Sequence, residues 1–143
     1  MKNRTKILAT VLAGVFSILA VGSQSTRGDK KVDTRVFELR TYHAADGKMD
    51  ALNSRFRDHT CALFKKHGMT IIGFWNPSEA KDADKTLVYL LAFPSREAAD
   101  QSWKSFMADP EWKEAKTASE KDGPLVKKVD RVFLNPTDYS PMK

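Results

Sequence analysis

Leu87-Val88-Tyr89-Leu90-Leu91-Ala92-Phe93 is an apolar run of strand length with no polar alternation. A strand with one wet face alternates apolar and polar side chains, so this one is predicted to be central and covered on both faces. One helical layer covers one face of a small antiparallel sheet. A chain of 143 residues has little left to cover the other. The run therefore points to a partner subunit before any motif is considered.

Working outward, the chain opens with Lys2, Arg4 and Lys6, followed by an apolar stretch over 7–21 and the small residues Ala20 and Gly22. The stretch is shorter than the ~20 residues a helix needs to span a bilayer. Basic start, apolar middle and small-residue exit predict a secretory signal peptide over 1–22, and hence a secreted or periplasmic protein. An uncleaved anchor is the alternative. Cleavage leaves a flexible polar leader over 23–33 and one domain over 34–143. Loss of Lys2, Arg4 and Lys6 lowers the formal charge from +6 to +3, spread over segments of mixed sign. That is ordinary surface chemistry. It predicts no nucleic-acid partner, and no stable membrane insertion once the signal is gone. Cys61 is the only cysteine, so no internal disulfide can staple the domain.

The domain reads strand over 35–42, helix over 48–67 closed by Gly68, strand over 70–75, and strand over 86–93. Ser95 then caps a second helix with Ala99, Trp103, Phe106 and Met107 on its apolar side. Asp109-Pro110-Glu111 restarts a helix with an N-cap, an N1 proline and an early acid. A last strand covers 129–134. Strand-helix-strand twice over predicts an α+β, ferredoxin-like split βαβ with a four-stranded antiparallel sheet, whose first and third strands are central. The third is the all-apolar one.

Five strings fall in order along this frame: Phe37-Glu38-Leu39-Arg40-Thr41-Tyr42, Lys66-His67-Gly68, Gly73-Phe74-Trp75, Asp109-Pro110-Glu111-Trp112 and Pro136-Thr137-Asp138-Tyr139-Ser140-Pro141. Together they resemble the NIPSNAP family over about 36–141. The resemblance implies a dimeric α+β barrel, in which two ferredoxin-like sheets pack face to face with helices outside. Related barrels include cofactor-free oxygenases of the antibiotic-biosynthesis monooxygenase type, haem-degrading enzymes and stress-responsive dimers. NIPSNAP members carry no settled chemical activity to transfer.

His59 is the candidate catalytic residue. Helical periodicity places it between Leu52 and Leu63, on the face expected to pack on the sheet. There it is either a satisfied core histidine or a proton-transferring or ligand-contacting group. Glu38, Arg40 and Tyr42 alternate onto one face of the first strand. Glu38 and Arg40 are expected to pair; Arg40, with Tyr42 beside it, is alternatively a grip for an anionic group. Trp75 and Trp103 are core or interface aromatics, or walls of a ligand cavity. Trp112 shares this reading.

Cys61 is expected to point away from the core, with Ser54, Asp58 and Lys65. His67 suits the last helical turn. His59 and His67 lie ~12 Å apart along a helix, and His43 has no ligand spacing to either. No metal site and no cofactor are predicted. Nucleophile elbow, phosphate loop and dinucleotide fingerprint are all missing from the sequence.

The expectation is thus an exported homodimer that binds a small apolar or aromatic ligand or acts as an interaction module. Its pocket would lie between the first helix and the sheet, with Arg40, Tyr42, His59, Trp75 and Trp103 as contacts. The alternative is a cofactor-independent oxygenase or isomerase using His59.

Overall fold

The computed structural model describes residues 35–79 and 81–143; the expected signal peptide and leader lie outside them. Strand β1 (Val36–Ala44) leads to a helix in three parts: α1 (Met49–Arg55), a π-helical turn (Phe56–Thr60) and α2 (Cys61–Lys66). Then come β2 (Thr70–Trp75), a 3-10 turn (Ala83–Lys85), β3 (Thr86–Phe93), α3 (Arg96–Ala108), α4 (Pro110–Ser119) and β4 (Val126–Leu134). The four strands form one sheet in the order β2-β3-β1-β4, every neighbouring pair antiparallel. This is the ferredoxin-like arrangement, with β3 and β1 central as the sequence predicts.

Element ends follow local chemistry. Gly68 adopts φ +75° after α2. Met69 N–H then donates to Phe64 O at 2.9 Å and Gly68 N–H to Lys65 O at 3.1 Å. This pair of bonds is a Schellman closure, and the buried side chains of Met69 and Phe64 add its apolar contact. Ser95 Oγ accepts from Ala98 N–H at 3.1 Å and starts α3. Asp109 Oδ1 accepts from Glu111 N–H at 2.8 Å and starts α4, with Pro110 at its first position. Of the apolar side expected for α3, Ala99 and Phe106 are buried and Trp103 is half-buried, but Met107 is exposed.

One sheet face carries the helices. Leu87, Tyr89, Leu91 and Phe93 of β3 join Leu52, Phe56, Leu63, Phe64 and Phe106 in the core on that side. The other face is open. It presents Leu39 of β1, Val88 and Leu90 of β3, Val132 and Leu134 of β4, and Trp75 of β2. Trp75 is 51% exposed, Val132 52% and Leu134 39%. Within one chain, then, only one of the two covers expected for β3 is complete. The segment after β4 covers one end of the open face. There Pro136, Thr137, Ser140 and Met142 line a groove with Phe37, Leu90 and Leu134.

Candidate functional site

Glu38, Arg40 and Tyr42 point to the helix side of β1, as strand alternation requires. Glu38 is fully buried. Its Oε1 accepts from Arg40 Nε at 2.8 Å and its Oε2 from Trp103 Nε1 at 2.5 Å. A buried carboxylate needs its oxygens satisfied, and here a strand neighbour and a helix residue do so. The Arg40 guanidinium lies over the Trp103 ring, 3.5 Å from its centroid. Among the described residues, its only side-chain hydrogen bond uses Nε. Its side chain is 12% exposed, so it stands at the rim of the core.

Tyr89 of β3 is the direct cross-strand partner of Arg40. Tyr42 packs edge-on to it, with ring centroids 5.2 Å apart. Tyr89 is fully buried, and among the described residues its hydroxyl makes no hydrogen bond of standard geometry, although the Tyr42 hydroxyl lies close enough to act on it. Burial first, then the neighbouring Tyr42, pushes the Tyr89 phenol well above its ordinary range. For Arg40, burial alone would lower the pKa; Tyr89, Tyr42 and Glu38 outweigh it and leave the guanidinium raised. The site is therefore a fixed cation against aromatic rings, next to an unused hydroxyl.

Three of the five expected contacts, Arg40, Tyr42 and Trp103, meet here. Trp75 does not: its indole lies on the open face across Gly73. Nor does His59, which is exposed on the outer side of the helix. It lines a groove of about 420 Å³ with Asp58, Lys66, Glu111 and Glu114, and no sheet residue borders that groove. The pocket expected between helix and sheet, with His59 beside Arg40, is therefore not formed as such. The π turn explains the displacement. Cys61 N–H donates to Phe56 O, five residues back, and Thr60 Oγ1 donates to Arg55 O at 3.2 Å. The wider turn rotates the later residues out of α-helical phase, so that Thr60 is buried in the position expected of His59. Cys61 rotates with it. It is half-buried against the core rather than turned away, and burial raises its thiol pKa.

The other histidines are engaged in the fold. His43 Nε2 lies 2.8 Å from Asp130 Oδ2 on the open face. His67 Nε2 lies 2.6 Å from Asp109 Oδ2, and its Nδ1 lies 3.0 Å from Ser105 Oγ. Ser105, His67 and Asp109 contain the residue types of a nucleophilic triad. But the Ser105 hydroxyl donates to Ser102 O at 3.0 Å, and its own backbone N–H lies inside α3. The trio joins the end of α2 to α3 and to the start of α4. His67 and Lys66 hold the Asp109 carboxyl down to about 2. No cluster of three or more metal-ligating side chains exists among the described residues.

Sequence reasoning did not single out Tyr89. The available signal was its phenol, the one side-chain polar atom in an otherwise apolar run, which needs a partner when buried.

No curated protein matches the chain. Among solved structures it is similar to a NIPSNAP family protein of unknown function from Agrobacterium tumefaciens, at 21% identity and a TM-score of 0.68, over 78% of this chain and 96% of that one. An uncharacterised NIPSNAP-like domain protein from Burkholderia xenovorans superposes with a TM-score of 0.67 at 19% identity, over 76% of this chain and 90% of that one. A Streptomyces coelicolor monooxygenase in complex with nanaomycin D is more distant, at 14% identity and a TM-score of 0.53, over 78% and 95%. These likenesses establish a shared fold. The NIPSNAP family profile matches residues 37–141, which takes in every strand but the first residue of β1, all the helices and the Glu38–Arg40–Trp103 unit, and the chain belongs to that family.

Proposed function

We propose that the protein is exported, pairs through the open faces of two sheets, and binds a small aromatic molecule through Arg40, Tyr42 and Trp103. The observation that carries the binding reading is the state of Arg40. It is fixed by Glu38 and Trp103, yet among the described residues only one of its donor nitrogens makes a side-chain hydrogen bond. A cation held this way is prepared for a ligand rather than for the fold alone. Pairing is supported by the exposed Trp75, Val132 and Leu134 around the half-buried Leu39, Val88 and Leu90. A contiguous apolar surface of that kind favours association with another copy. Export rests on the basic-apolar-small pattern of residues 1–22. No helix among the described residues is long and apolar enough to cross a membrane.

Native mass spectrometry of the protein purified from its own host tests both parts. The expected result is a dimer that retains a small molecule. A stable monomer at micromolar concentration would overturn the pairing.

A second reading, a cofactor-independent oxygenase or isomerase, is favoured by the fold shared with the nanaomycin-bound monooxygenase. Here the phenols of Tyr42 and Tyr89 stand with the Glu38 carboxylate beside Arg40. A His59→Ala protein that folds but loses turnover of an identified substrate would restore His59 as its base. Unchanged turnover would leave the chemistry to the tyrosine side of the site.

A further inference from the structure

Strand register places Arg131 of β4, Arg40 of β1, Tyr89 of β3 and Phe74 of β2 in one row on the helix side of the sheet. The row runs from solvent to core: Arg131 is exposed, Arg40 stands at the rim and Tyr89 is fully buried. The helices do not cover its outer end. Val129, on the same side of β4, is 43% exposed. The row is therefore open at the β4 edge.

Two arginines directly opposite on neighbouring strands repel each other. Arg40 is compensated by Glu38. Arg131 makes no ion pair among the described residues; its guanidinium lies 5.7 Å from the Phe133 ring centroid. Arg96, at the start of α3, lies over the same ring at 3.7 Å. Three guanidiniums thus gather along Trp103 and Phe133. Of the acids paired with them, Glu38 already has both oxygens engaged, and Asp100 sits with Arg96 at 3.3 Å. One strand inward, the Tyr89 hydroxyl is a buried donor with no acceptor of standard geometry among the described residues, and only the Tyr42 hydroxyl stands near it. Native folds seldom leave such a group without use. Repelling cations and an idle donor in one row are both answered by the same addition, an acidic oxygen.

The geometry points to a carboxylate-recognition site at the β4 edge, formed by Arg40 and Arg131 with Arg96 beside them and Tyr89 as the inner donor, for an aromatic acid. Guanidinium groups match a planar carboxylate. The rings of Tyr42, Trp103 and Phe133 suit a flat apolar body. This rests on the ligand-binding reading above and specifies the ligand's charge and the residues that read it.

The probes are benzoate, neutral benzamide and inorganic phosphate, titrated calorimetrically into the mature full chain. Benzoate should bind about tenfold or more tighter than benzamide, and Arg131→Gln should remove most of that preference. Without ligand, Arg131→Gln should keep or raise the melting temperature, since it relieves a like-charge pair. Tyr89→Phe should weaken benzoate binding without lowering stability.

Equal binding of benzoate and benzamide would overturn the carboxylate site and leave the aromatic-binding reading standing. Binding of neither would overturn both. Phosphate in place of benzoate would replace the aromatic acid with a simple oxyanion and refute the stated class. Wild-type benzoate affinity in Arg131→Gln, or a large loss of its stability without ligand, would assign Arg131 to the fold and end the inference.

Discussion

Trp103 Nε1 donates to Glu38 Oε2 at 2.5 Å, joining α3 to the central strand beneath it through a fully buried carboxylate. Trp103→Phe keeps most of the apolar contact but leaves that oxygen without its donor. A hydrogen bond to a buried charge is worth about 1.5–3 kcal/mol, so Trp103→Phe should destabilise by about 2 kcal/mol in urea unfolding. In a Glu38→Gln background the same change should cost clearly less, because no full charge is then stranded. Equal costs in the two backgrounds would show that the indole acts by packing alone.

The π turn makes opposite predictions for neighbours. His59 is exposed, so His59→Ala should change stability by no more than about 0.5 kcal/mol. Thr60 is 1% exposed, and Thr60→Glu should destabilise by at least about 2 kcal/mol, since it buries an unpaired carboxylate. Thermal or urea unfolding of the two variants decides the matter. The reverse ranking would mean that the helix runs in regular α phase and that His59 faces the sheet.

Gly73 makes room for an aromatic ring. A Cβ there would sit 2.7 Å from two ring carbons of Trp75, too close for contact. The backbone of Gly73 needs no left-handed conformation, and the obstructing atoms belong to a half-exposed side chain. Gly73→Ala should therefore fold with a small change in melting temperature while lifting the indole off the open face. Sedimentation equilibrium should then show weaker self-association, and tryptophan emission should shift. Unchanged association would remove Trp75 from the proposed contact.

Acid titration should reveal Asp109. Its hydrogen bonds to His67 and Lys66 hold the folded pKa at about 2, below the ordinary value of 3.8. The carboxylate's contribution is thus present above pH 3.8 and is lost as pH falls toward about 2. Asp109→Asn can still cap α4 but gives up the charge. It should melt below the wild type at neutral pH, and the gap should close over that acid window. A gap independent of pH would assign the difference to packing.

Much of the fold was legible in the residues. The apolar run of β3, the alternation of β1, the Ser95 and Asp109 caps and the Gly68 closure each follow from a local rule that the structure obeys. The sheet order followed from them. The site was legible only where it depended on strand alternation, which brought Glu38, Arg40 and Tyr42 together. It was not legible where it depended on helical phase, because one wide turn at Phe56–Thr60 moved His59 outward and Thr60 inward. Nor was it legible where it depended on register. Nothing in the residues flanking Arg131 reveals that it faces Arg40 across a strand boundary.

Asp109 belongs to two structures at once. Its Oδ1 caps the first turn of α4, while its Oδ2 meets His67 just past the end of α2. Neither end can fray without loosening the other. In hydrogen-exchange measurements the amides around residues 67–69 and 111–113 should open as a single event with a common free energy, so that two segments more than forty positions apart in sequence behave as one exchange unit.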